Sequence, residues 1–271
     1  TNRFVHNAAA TLDLATCTTP SGAPCEASGV RPLNWPICPI ISQNSAYTFV
    51  TLRGGGLFVV DARQTPMRIV GEYDAATVKG NGCGGTQLGN AMFINSGGSP
   101  VNVSGTDPHH PALYGFDVYR FPLDGYGSGR ANTPAPRLMF SKSGTSDSHG
   151  MAPVRDSRAL WVMDRHADVV EILDPASGSR LATVPLNGAL TPNAAPDLVD
   201  VAPTGERLFV ALRGRTPLSG DPHNATGASP GLGILRVTQN GRSGELMAIV
   251  PLENPINPGA TDPHGIRVRV R

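Results

Sequence analysis

Four segments of this 271-residue chain repeat the same order of short apolar runs, and that self-similarity limits the fold more than any other feature. They are YTFVTLRGGGLFVVDA from Tyr47, AMFINSG from Ala91, ALWVMDRHADVVEILDP from Ala159 and RLFVALRG from Arg207. A second β-rich run follows in each: GLFVVDA, LYGFDVYRF, DVVEILD and GLGILRV. A third closes the unit: MRIVGEY, RLMFSK, RLATVPL and LMAIVPL. A weaker strand such as HGMAPVRD or DLVDVAPTG stands in front. The stretch DSRALWVMDRHADVVEILDPASGSRLATVPL is the most regular, with DSRA and PASGS as turns at hairpin spacing. Four antiparallel strands per unit of about 40 to 60 residues predict the blades of a β-propeller. A parallel solenoid is the alternative, but its repeats are shorter.

Composition supports an all-β chain and removes some functions. Gly (32) and Pro (25) make up about a fifth of the residues, and charged residues only 16%. Short β-branched and aromatic runs broken by turn residues outnumber helical patterns. Lys and Arg (22) balance Asp and Glu (21), leaving a net charge of +1, so no electrostatic footprint for nucleic acid or an anionic membrane exists. No apolar run nears the roughly 18 residues that span a bilayer, and no signal peptide is visible, so a cytosolic or an already processed protein is expected. Arg267, Arg269 and Arg271 alternate with valines, as in a strand with one polar face.

LWVMDRHADVVEILDPASGSRLATVPL, preceded by HGMAPVRDSRA and followed by PDLVDVAPTGERLFVALRG, resembles the YVTN-type propeller repeat. The match is good over residues 148–214, looser over 47–73 and weak elsewhere. That family includes lactonase-like propellers and many secreted proteins, so the resemblance implies the fold strongly and an activity only weakly. On this reading the chain is one β-propeller domain, 1–271, of four complete blades plus one composite or truncated blade. TNRFVHNAAATLD enters in mid-blade, and HGIRVRVR ends after a first strand. The two ends either combine into a ring-closing blade or belong to a longer propeller, and the strand lacking between Arg271 and Thr1 favours the second.

The blade register places the histidines. His149 and His264 stand just before an innermost strand, near the axis. Asp197 takes the same place, eleven residues before Leu208 as His149 is before Leu160. Cys38 and Cys83 fall near that place in the earlier blades. His109, His110 and His223 lie in two long insertions between second and third strands, each reaching Asp-Pro-His, and open on the same face. His149, Asp197 and His264 could hold calcium, zinc or copper, and the metal would polarise a carbonyl or activate water. One His could instead act as general base beside Asp197. The plainer reading is turn chemistry, since Asp-Pro and Asp-Ser start turns by bonding their own backbone.

Other residues keep two readings. Arg53, Arg165 and Arg213 recur after the second strand; they either bind an anionic ligand or pair with acids such as Asp61, Asp164 or Asp174. Trp35 and Trp161 read as core or inter-blade packing, with the lining of a ligand site as the alternative. Four cysteines without a CxxC pair suit disulfides in a secreted or periplasmic protein, with buried free thiols as the alternative. Cys17 and Cys25 bracket a Pro/Gly loop, and a Cys38–Cys83 bridge would staple two blades. Asn102 and Asn224 sit in formal glycosylation sequons. Two functions follow: a module binding a protein or small molecule on its loop face, or a metal-assisted hydrolase or oxidoreductase at the hub.

Overall fold

A computed structural model describes residues 5–98, 114–127, 133–143, 146–154, 156, 158–216, 226–257 and 259–269. Sixteen strands form four antiparallel sheets, each of four strands in chain order. Blade 1 comprises β1 (Pro36–Ile41), β2 (Tyr47–Leu52), β3 (Leu57–Asp61) and β4 (Arg68–Tyr73). Blade 2 comprises β5 (Gly85–Leu88), β6 (Ala91–Gly98), β7 (Tyr114–Pro122) and β8 (Arg137–Lys142). Blade 3 has β9 (Ser148–Val154), β10 (Ala159–Asp164), β11 (Val169–Leu173) and β12 (Arg180–Pro185). Blade 4 has β13 (Pro196–Val201), β14 (Arg207–Leu212), β15 (Gly231–Thr238) and β16 (Ser243–Pro251). The protein is a β-propeller of four-stranded blades. The first strands neighbour one another at the hub, with β9 between β5 and β13.

Period-two alternation explains why these runs become blades rather than a sandwich with one wet face. In β10, Leu160 and Val162 pack towards blade 2 with Phe93, Phe116 and Val118. Their neighbours Trp161 and Met163 pack towards blade 4 with Val210 and Leu212. Blade 1 does the same: Phe49, Leu57 and Val59 meet Met92, Ile94 and Phe121 of blade 2. Leu52, Phe58 and Val60 face away, onto Leu12, Leu14 and the Cys17–Cys25 loop. An inner strand therefore needs apolar residues at consecutive positions, as a strand buried on both faces requires.

Trp161 is the largest wholly buried side chain, and its indole Nε1 donates to Gly241 O across the blade boundary at 2.8 Å. Gly244, beside that turn, lies against the Trp161 ring, and a Cβ there would overlap the ring and the Arg236 carbonyl. Polar staples join other blades: Lys142 of blade 2 reaches Asp164 at 3.0 Å and Glu171 at 2.9 Å in blade 3.

The partial fifth unit stays partial, and the strand expected at Arg267–Arg271 and the packing expected of Trp35 need correction. Among the described residues no fifth sheet forms: 5–34 carry one 3₁₀ turn (Ala8–Ala10) and two isolated bridges, and 259–269 carry no strand. The Arg267–Arg269 run instead lies along β13, with Val268 N donating to the Asp200 carboxylate and His264 O accepting from Leu198 N. Trp35 is not core packing; it is 57% exposed and lines an apolar groove of about 1020 Å³ with Ile41, Val50 and Met67 on the outer face of blade 1.

Replacing Trp161 by Ala removes a buried indole from a site that cannot collapse without moving two sheets. The expected cost is about 3–5 kcal/mol of unfolding free energy, read as a lower urea midpoint.

Candidate functional site

The site grows out of strand register. In blade 3, Arg165 N, just past β10, donates to Asp147 O, just before β9. Arg213 N bonds Ala195 O in blade 4, Arg53 N bonds Trp35 O in blade 1, and Gly97 N bonds Asn81 O in blade 2. Two residues on from each anchor stand His149, Asp197, Ile37 and Cys83. Cys38 lies one residue beyond the equivalent place, still close enough to bond Cys83. His264 follows Asp262 as His149 follows Asp147. Repeat register thus aims these side chains at one patch of the hub.

Charge then organises the patch. Arg165 donates from Nε to Asp147 at 2.8 Å and reaches Asp197 of the next blade through Nη1 at 3.4 Å. Arg213 donates through Nη1 to Asp197 of its own blade, and through Nε and Nη2 to Asp262, both at 2.6 Å. The result is a belt of alternating sign, Asp147–Arg165–Asp197–Arg213–Asp262, in which Arg165 bridges blades 3 and 4 and Arg213 ties blade 4 to the segment after β16. All but one of these five residues are nearly inaccessible, and Asp262 is partly exposed. The fork of donors on arginine suits such two-sided pairing.

The arginine partners differ from Asp61, Asp164 and Asp174, which serve elsewhere: Asp61 binds Arg63, Asp164 binds Lys142, and Asp174 caps its own turn. Asp147 and Asp262 are site residues that sequence reasoning left to turn formation. Their signal was present, since both stand two places before a histidine, but nothing in the linear chain says which arginine they meet. Arg53 holds the equivalent backbone position in blade 1. His109, His110 and His223, and the sequons at Asn102 and Asn224, lie outside the described residues.

Against the belt lie two imidazoles, with ring centroids 5.5 Å apart. His264 is half-exposed, and its Nδ1 sits 3.0 Å from both Asp197 Oδ2 and Arg213 Nη1. One nitrogen cannot donate to the first and accept from the second, so the tautomer selects one bond. His149 is buried, with Nε2 2.9 Å from Asp197 Oδ1. That contact lacks hydrogen-bond alignment, so both His149 nitrogens and Asp197 Oδ1 are buried without a hydrogen-bond partner. Below them, Asn95 Nδ2 donates to the His149 carbonyl and Asn95 Oδ1 accepts from Gly84 N at 2.8 Å, fixing the backbone.

Burial, then the Arg165 charge, lowers the His149 imidazole to about 4 despite Asp197 beside it, so the ring is neutral at neutral pH. Burial alone would raise the Asp197 carboxyl; His149, Arg165 and the bond from His264 hold it well below the carboxylate range. The patch therefore presents a neutral imidazole and an ionised carboxylate, the protonation states in which both donate to a metal. Cys83 Sγ and the two imidazole nitrogens lie within 4.8 Å of one another, but the sulfur is bound to Cys38 and brings no thiolate.

No protein-family model matches the chain, and no curated protein matches it in sequence. Solved structures do match in fold. A hypothetical selenium-binding protein from Sulfolobus tokodaii has a TM-score of 0.57 at 10% identity, over 82% of this chain and 58% of its own. A functionally unknown protein from Desulfotomaculum acetoxidans has a TM-score of 0.52 at 16% identity, over 81% and 57%. A putative 6-phosphogluconolactonase from Bacteroides uniformis has a TM-score of 0.48 at 13% identity, over 82% and 74%. The chain spans under three-fifths of the length of the first two proteins.

Two outcomes test the electrostatics in chelator-treated protein. Asp197→Ala leaves two buried guanidiniums short of their shared carboxylate, and is expected to cost about 3–5 kcal/mol in urea unfolding. The His149 pKa is lower folded than unfolded, so the unfolded chain binds the extra proton between the two values. The neutral ring's contribution is complete above the unfolded value near 6.5 and is lost as pH falls towards 4. Melting temperatures from pH 7.5 to 4.5 should fall more steeply for wild type than for His149→Phe.

Proposed function

We propose that this chain is the ligand-binding propeller of an extracytoplasmic protein, with its recognition site at the hub on the face where His149, Asp197 and His264 meet. One observation carries the reading: buried His149 has Nδ1 without a hydrogen-bond partner and meets Asp197 Oδ1 only through a misaligned 2.9 Å contact, while half-exposed His264 joins them to solvent. Buried polar atoms are nearly always satisfied, so a set left open at the mouth of a rigid ring calls for an occupant. Two imidazoles and a carboxylate suit zinc or copper before calcium, which prefers an all-oxygen shell. The two disulfides support a location outside the cytoplasm. No helix among the described residues is long and apolar enough to cross a membrane.

A second reading, metal-assisted hydrolysis or oxidation, is favoured by the exposure of His264, which leaves a bound ion an open side for substrate. In that case Asp197 and the two histidines hold the ion, and Arg165 and Arg213 fix the carboxylate.

Equilibrium dialysis against zinc tests the binding reading. Wild type should retain about one equivalent, and His149→Ala with His264→Ala should retain none. Retention well under one equivalent by folded wild type overturns it for zinc. Lactone hydrolysis by the loaded protein, abolished in the double variant, would add the catalytic reading.

A further inference from the structure

The disulfide at the hub has a consequence for the same site. Cys83 occupies in blade 2 the register place that His149 occupies in blade 3 and Asp197 in blade 4. Its sulfur lies within 4.8 Å of the nearest nitrogens of both His149 and His264. His149 is buried, and its Nδ1 has no hydrogen-bond partner. The side chain that completes a three-sided donor set is therefore already in position, and only the bond to Cys38 withholds it.

We infer that Cys38–Cys83 is a redox gate on a Cys83–His149–His264 site for zinc or copper. This rests on the proposed function, because it takes the hub as a metal-binding place, and it names the third ligand. The chemistry balances as dithiol–disulfide exchange. A small dithiol or a thiol oxidoreductase attacks one sulfur, the Cys38–Cys83 bond breaks, two electrons reduce it to two thiols, and the reductant leaves as its own disulfide. Cys83 then gives up its proton as its sulfur bonds the metal.

The geometry allows this with little movement. In a tetrahedral zinc site, sulfur and nitrogen ligands stand about 3.6 Å apart, given bonds of about 2.3 and 2.0–2.1 Å. The 4.8 Å limit here closes to that by turning a freed thiolate about its own side-chain bonds. Two imidazoles and one thiolate select a borderline or soft ion and reject calcium. While the disulfide stands, the carboxylate that His149 and His264 share is Asp197, whose Oδ2 already serves both Arg213 and His264. The oxidised hub is thus the weaker site and the reduced hub the stronger.

Cobalt(II) titration of the whole chain without oxygen tests the gate, because a thiolate ligand adds a sulfur-to-cobalt charge-transfer absorption. Cys38→Ser frees Cys83 without a reductant and leaves Cys17–Cys25 intact. It should show that absorption and bind cobalt at least 10- to 100-fold more tightly than oxidised wild type, the range that even an outer-shell partner controls. Wild type reduced with a phosphine should match it, and reduced Cys83→Ser should lack the absorption. That second arm keeps the test decisive if Cys38→Ser folds poorly. Cobalt bound by wild type through nitrogen ligands, with no sulfur absorption in Cys38→Ser or reduced wild type, overturns the gate and leaves the hub reading standing. No cobalt bound by any form overturns both.

Discussion

Everything at the hub depends on one carboxylate shared between blades. Asp197 is fully buried, and an ion at that depth is tolerable only when its oxygens are met by charge and hydrogen bonds. Arg213 of its own blade and Arg165 of the previous one supply them, and each guanidinium turns its other edge to Asp147 or Asp262. Hydrophobic packing brings neighbouring blades together without direction. The belt adds what packing lacks, a fixed rotational setting of one blade against the next. It also holds His149 and His264 on opposite sides of the Asp197 carboxylate, so scaffold and candidate site are the same set of bonds.

Much of this was legible in the sequence, and the reason is repetition. Strand runs such as ALWVMD are apolar at consecutive positions because each blade has neighbours on both faces, and that pattern recurs four times with its turns. Register within a repeat is local, so counting back from Leu160 and Leu208 suffices to align His149 with Asp197. The motif DPHG near the end aligns His264 in the same way. What stayed hidden depends on contacts between repeats. Which carboxylate Arg165 meets is decided by the angle between blades, a quantity no single repeat encodes. Trp35 and Trp161 look alike as letters, yet one lies in the open face of blade 1 and the other between two sheets.

The site's rigidity also has a structural origin. A propeller places backbone strands, not loops, nearest its axis, so a side chain at the end of an innermost strand is presented by a rigid support. Asn95 strengthens this by holding the His149 carbonyl and the Gly84 amide of the adjoining strands. Rigid presentation makes an unpartnered nitrogen informative, because a flexible loop would turn the ring until a partner was found.

Trp161 and Gly244 illustrate a different kind of dependence. A side chain at Gly244 is excluded twice, by the Arg236 carbonyl of its own hairpin and by the indole of another blade. The two residues are 83 positions apart, yet the size of one limits the size of the other. Trimming the indole removes one of these two obstacles and leaves the carbonyl, whereas enlarging Gly244 must displace the indole as well. The spacing between two blades in this way limits what two distant positions can hold.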